Sequence, residues 1–229
     1  MAESPLLRRE LVKKMGLRLG VGIPAIFAVI FIPAGTLAYW EAWLYLAVIL
    51  IPLAVVAIYL FRRDPELLAR RMQTRERETT QSRLIALSGF YFLLIFILPG
   101  IDHRFGWSDA PVWLVLAANL IILAGYGIIV LVFRENRYAS RVVEVAQGQQ
   151  VIATGPYAVV RHPMYIGTLL MYFFSPLALG SYWALIPATL ILPILVVRIR
   201  NEETVLAHDL PGYSAYMQRT RYRLLPFVW

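Results

Sequence analysis

Apolar residues run along this chain in long blocks separated by short polar interruptions, and the block lengths set the architecture. A helix crossing the hydrocarbon core of a bilayer needs about 20 residues. Four blocks reach or approach that length, at about 19–39, 42–61, 84–101 and 112–133. The first two are joined by little more than Trp40 and Glu41, which predicts a tight helical hairpin with aromatics at the membrane interface. Residues 62–83 form a charged loop holding seven arginines, and 102–110 a short polar one. Two shorter apolar blocks, about 165–179 and 182–197, are divided by Gly180 and Ser181. Pro176, Pro187 and Pro193 should bend them or reroute their backbone hydrogen bonds. Between the fourth and fifth blocks, residues 134–161 are weakly hydrophobic and broken at Gly148 and at Gly155-Pro156. The polar stretch 198–229 predicts a helix from Asn201 that ends before Pro211. The expected fold is all-α, a polytopic membrane protein of about six transmembrane helices. Residues 1–133 carry helices 1–4 with the loop 62–83, and residues 134–229 a C-terminal region with a helical hairpin and a polar tail.

Composition agrees with the pattern. Of 229 residues 59% are apolar and only 16% charged, against about 25% charged in soluble domains. The net charge is +8, and a six-span threading puts 21 of the 22 basic residues on one face, leaving Arg104 alone on the other. The positive-inside rule then places both termini in the cytoplasm. Attraction of basic juxtamembrane loops to anionic lipid explains the charge without nucleic acid. The residues 1–18 read as a cytoplasmic tail, since no small-residue cleavage site follows them. The chain has no cysteine, which excludes disulfides, thiolate metal sites and a cysteine nucleophile, and its three histidines are too scattered for an evident metal site.

Three polar pieces on the basic side carry candidate chemistry: Thr154-Gly155-Pro156-Tyr157, then Arg161-His162-Pro163-Met164-Tyr165-Ile166-Gly167, and Arg198 through Glu203. By themselves Arg161 and His162 read as readily as an interfacial anchor and a helix-start residue as they do as functional groups, with Gly167 allowing a close approach to its helix. Arg198 and Glu202 are four apart and share a helix face, either as a surface ion pair or as two walls of one cavity. Glu202 and Glu203 sit where a helix C-terminus and an anionic membrane surface both disfavour carboxylates, so something positive must compensate them. Tyr213 and Tyr216 read as membrane-interface anchors.

The order and spacing of these pieces, closing on Leu225-Pro226, resemble the isoprenylcysteine carboxyl methyltransferase family and its phospholipid methyltransferase relatives over about 149–227. The resemblance implies an integral-membrane enzyme using S-adenosylmethionine, held in a pocket at the cytoplasmic face, and acting on a lipophilic acceptor, an isoprenylcysteine-type carboxylate or a lipid. It implies that Val151, Ile152, Tyr157, His162, Tyr165 and Glu202 line the cofactor, while Arg198 faces the substrate. Gln149 and Gln150 stand where the eukaryotic enzymes tend to have a histidine. The short basic chain is closer to prokaryotic members, in the inner membrane.

Methyl transfer is chiefly a matter of positioning. A carboxylate acceptor needs no general base, whereas an amine would, with His162 or Glu203 as candidates. Two other readings stay open. One is an NADPH-dependent membrane reductase, because sterol reductases resemble this C-terminal architecture. The other is a small transporter or scaffold, which leaves 155–167 without a role.

Overall fold

The structure, a computed structural model, describes residues 5–73, 79–140, 142 and 145–229. Among them all regular structure is helical: α1 (Pro5–Ala34), α2 (Trp40–Arg63), α3 (Pro65–Arg71), α4 (Thr79–Phe105), α5 (Val112–Glu135), α6 (Pro163–Ala178), α7 (Leu185–Ala188), α8 (Ile191–Asp209) and α9 (Tyr213–Arg219), with a 3₁₀ turn at Gly155–Ala158. Three helices among the described residues are long and apolar enough to cross a membrane, within Arg8–Ala34, Trp40–Arg63 and Val112–Glu135.

Several boundaries differ from the sequence expectation for identifiable reasons. The N-terminal tail is already helical from Pro5, and α1 stops at Ala34. Gly35, with φ +67°, makes the turn, so residues 35–39 form the hairpin connection and Trp40 and Glu41 begin α2. The arginine-rich loop contains α3, whose N-terminus is capped by Asp64 Oδ1 accepting from the Leu67 amide at 3.0 Å. Residues 74–78 of that loop lie outside the described residues. The block 182–197 is interrupted, with Pro187 inside the single turn of α7 and a fresh start at Ile191. From there α8 runs unbroken through Asn201 to Asp209. The separate polar helix expected at Asn201 is thus the continuation of the last apolar one, since residues 198–209 contain no helix breaker.

The centre of the molecule is the α5–α6 crossing. A Cβ placed on Gly125 would lie 2.8 Å from the Gly167 carbonyl, and one on Gly167 would lie 2.6 Å from the Gly125 carbonyl. The helices therefore touch backbone to backbone, as small residues permit between membrane helices. The approach to Gly167 expected from sequence is made by α5. Tyr39, Tyr45 and Ile122 are buried beside this crossing, where Tyr45 pairs with Ser175 at 2.9 Å and Tyr39 donates to the Leu179 carbonyl at 2.5 Å.

Beyond the C-terminus of α6 the fold is fastened by the buried Asp102. Its carboxylate accepts from the Ser108 amide at 2.7 Å, the Ser108 hydroxyl at 2.6 Å and the Ser181 hydroxyl. The candidate chemistry lies at the other end of α6.

Candidate functional site

Three chain breaks meet where α5 ends, α6 begins and α8 passes. Asn136 ends α5 and donates its amide to Tyr157 Oη at 2.9 Å. Thr154 donates to Glu135, and Gly155 takes φ +56° with that glutamate's side chain packed against it; a Cβ there would meet the carboxylate at 3.0 Å. This residue turns the chain into the 3₁₀ turn carrying Tyr157. Tyr216 of α9 donates to the Tyr157 carbonyl at 2.8 Å, so Tyr157 is held from both sides. Burial raises its hydroxyl to about 12, against a smaller lowering by the Asn136 hydrogen bond, and it stays a neutral donor.

These elements enclose a cleft of about 870 Å³, open mouth included. Val151, Ile152, Tyr157, His162, Tyr165, Arg198 and Glu202 all line it, together with Gln149 and Gln150. The side chain of Gln149 is spent on its own turn, accepting from the Ala146 amide at 2.9 Å, while Gln150 is exposed. Arg198 and Glu202 share a helix face, and between them stands the Tyr165 hydroxyl. It donates to Glu202 Oε2 at 2.6 Å and accepts from Arg198 Nε at 2.9 Å. Arg198 and Glu202 are therefore linked through a residue of another helix.

Behind the cleft lies a buried ionic cluster. Glu203, 4% exposed, accepts from Arg161 Nε at 2.6 Å and from Arg223 Nε at 2.7 Å, and its Oε1 stands 3.2 Å from His162 Nε2. Burial alone would raise this carboxyl, but hydrogen bonds from His162, Arg161 and Arg223 outweigh it and hold it at about 2. Arg161 and Arg223 supply the compensation that the sequence demanded for Glu203. Arg161 also donates to the carbonyls of Thr220 and Arg221, each at 2.8 Å, closing the C-terminal end of α9. The amides of Arg161 and His162 donate to the carbonyls of Tyr222 and Arg223, each at 2.9 Å. Arg161 and His162, 6% and 5% exposed, are thus internal braces; His162 does start a helix, as the N-cap of α6, but neither residue anchors at an interface.

Sequence reasoning missed Asn136, Tyr138, Tyr213 and Tyr216 as cleft residues. The two tyrosines are buried rather than set out as anchors, because Leu210, Val151 and Leu206 pack around them. Their signal was present in the i, i+3 spacing, which puts both on one face of α9.

Residues 113–210 match the family model described as phospholipid methyltransferase, a methyltransferase family. No curated protein matches the chain. The matched segment runs from α5 through the cleft-forming loop, α6 and α8, and includes every cleft residue anticipated from sequence. Over residues 113–210, this helical membrane protein is similar to the phospholipid methyltransferase family.

Proposed function

We propose that the chain is an S-adenosylmethionine-dependent methyltransferase of the membrane, spanning it six times, with both termini and the cleft cytoplasmic, acting on a lipophilic acceptor. One observation carries the reading: seven residues from separate stretches converge on one cleft, where a guanidinium and a carboxylate are tied by the Tyr165 hydroxyl.

The cleft's chemistry fits the cofactor. Glu202 offers a carboxylate to an ammonium group. Val151, Ile152 and Leu206, with the rings of Tyr157, Tyr213 and Tyr216, offer apolar and aromatic surface to a purine. When bound, S-adenosylmethionine supplies a methyl group on a sulfonium centre. Arg198 would hold an anionic acceptor group by charge-assisted hydrogen bonds, and Tyr165 keeps that guanidinium in register with Glu202. Glu203 is charged and fully committed to its three partners, so it takes up no proton near neutrality. His162 Nε2 lies against the same carboxylate. These commitments favour an acceptor with no proton to lose, such as a carboxylate, over an amine. Arg161 is spent on Glu203 and on the α9 carbonyls, which weighs against a pocket for the 2′-phosphate of NADPH.

Binding of radiolabelled S-adenosylmethionine and of NADPH to detergent-purified protein tests the proposal. Saturable binding of the first, unaffected by the second, is expected, followed by methyl transfer to a lipid-extract acceptor. Binding of NADPH alone would establish the reductase, and binding of neither would favour a transporter or scaffold.

A further inference from the structure

The family match begins at residue 113, yet the wall of the cleft is supported by an element well before it. Helix α3, seven residues long, buries Leu67 and Leu68 against Leu11, Leu60, Val132 and Ala139, with Tyr157 and Met164 packed on the same cluster. That burial seats α3 against both sides of the cleft. Its C-terminal end is tied to α1 by Arg18, which donates to the Met72 carbonyl at 2.5 Å.

From this seat two arginines reach the segment 136–140, of which Asn136, Tyr138, Ala139 and Ser140 line the cleft. Arg70 donates to the Arg137 carbonyl at 3.3 Å, and its guanidinium carbon lies 5.5 Å from the Tyr138 ring centre. Arg71 does more. Its Nη1 donates to the Ser140 carbonyl at 2.8 Å and stands 3.5 Å from the sulfur of Met164, while its guanidinium carbon lies 5.2 Å from the Phe133 ring centre. One side chain thus touches the last turns of α5, the cleft loop and the first turn of α6. A guanidinium presents several donors in a fixed plane and stacks on aromatic faces, which suits it to joining three elements at set distances. Held only by its own local turns, an irregular loop of this kind would sample many positions.

We infer that Arg71 is a positioning residue for the cleft, fixing the 136–140 wall against Met164 and so making the site dependent on the N-terminal helices. It need not touch cofactor or acceptor. The inference rests on the proposed methyltransferase reading only for its consequence on binding; its structural part stands separately.

The test uses full-length Arg71→Met, which keeps the aliphatic stem, and Arg71→Lys, which keeps the charge and donors but not their planar arrangement, with exposed Glu66→Gln on the same helix as control. Amide hydrogen exchange is followed by mass spectrometry without any ligand. In Arg71→Met, exchange should quicken in peptides covering 136–142 and stay unchanged in those covering 191–209, with Arg71→Lys between the two and Glu66→Gln like the parent. S-adenosylmethionine affinity should fall on the order of tenfold in Arg71→Met, the loss of one charge-assisted hydrogen bond, and recover in part in Arg71→Lys. Unchanged exchange at 136–142 in Arg71→Met overturns the inference. So does quickened exchange across the whole chain in both variants, which would make Arg71 a general stabiliser. Failure of the parent to bind S-adenosylmethionine would instead overturn the methyltransferase reading, with the exchange arm still deciding the role of Arg71.

Discussion

At the scale of single residues, the Tyr165 hydroxyl makes Arg198 and Glu202 interdependent. Tyr165→Phe keeps the ring and removes the link. The carboxylate and the guanidinium each lose a hydrogen bond of the kind worth about 1.5–3 kcal/mol. S-adenosylmethionine binding, read by titration calorimetry, should weaken about 10- to 100-fold, as those energies convert. Arg198→Ala should weaken it less, and the double variant should lose less than the sum of the two single losses, because the Tyr165 hydroxyl joins Arg198 to Glu202. Additive losses would show that the two charges act separately. Glu203 works differently, by holding the fold behind the cleft. Removing one partner of a buried ionic cluster strands the others, so Glu203→Gln should cost about 3–5 kcal/mol of unfolding free energy. Because this carboxyl is held at about 2, below its ordinary 4.5, its contribution is fully present above 4.5 and is lost as the pH falls toward 2. Unfolding of the parent in detergent, followed against pH, should show that acid loss, and Glu203→Gln should lack it.

Between elements, the α5–α6 contact determines how far apart the cleft walls stand, since Asn136 ends one helix and Tyr165 opens the other. Gly167→Ala puts a methyl group 2.6 Å from a backbone carbonyl that cannot swing aside. Overpacking of this kind costs about 1–3 kcal/mol, and the forced separation should weaken cofactor binding as well as lower the melting temperature. Gly127→Ala, on the same α5 with nothing within 4 Å of the new carbon, should leave both unchanged or slightly improved. Equal behaviour of the two variants would mean that the crossing does not control the cleft. Such contrasts mark what the sequence could disclose. Helices α2 and α5 were legible because their apolar runs match a bilayer-spanning length and stop at charged residues. The continuous α8 was not, because the change from apolar to polar at Arg198 marks a change of surroundings and the backbone does not register it. Helix α3 was hidden in a charge-rich segment where the buried residues are Pro65, Leu67 and Leu68. In the cleft, motif residues declared themselves by order and spacing. Tyr213 and Tyr216 did not, because a tyrosine beside a membrane is read as an anchor until its packing partners are known.

For the whole molecule, the two polar ends of α6 have opposite characters, about 24 Å apart at 1.5 Å rise per residue over its 16 residues. At the Pro163 end stand Arg70, Arg71, Arg137, Arg161, Arg198 and Arg223, around the cleft and its buried carboxylate. At the Ala178 end, the Asp102 fastening involves two serines, and Arg104 is the one basic residue that the sequence assigns to that side. Charge asymmetry of this size orients membrane proteins with the basic side inward, so the cleft should open to the cytoplasm, where a polar cofactor arrives, and an acceptor with a lipid tail would enter from the bilayer. The absence of cysteine makes the test direct, since single cysteines can be introduced without background. Gln147→Cys lies in the cleft-side loop and Asp109→Cys near the Asp102 fastening, and both positions are exposed and outside the hydrogen bonds that hold the two ends. In intact cells a membrane-impermeant maleimide should modify the cysteine at 109 and spare that at 147 until the membrane is opened. Labelling of position 147 from outside, or of both positions from one side, would reverse the orientation or remove a span, and with it the cytoplasmic placing of the cleft.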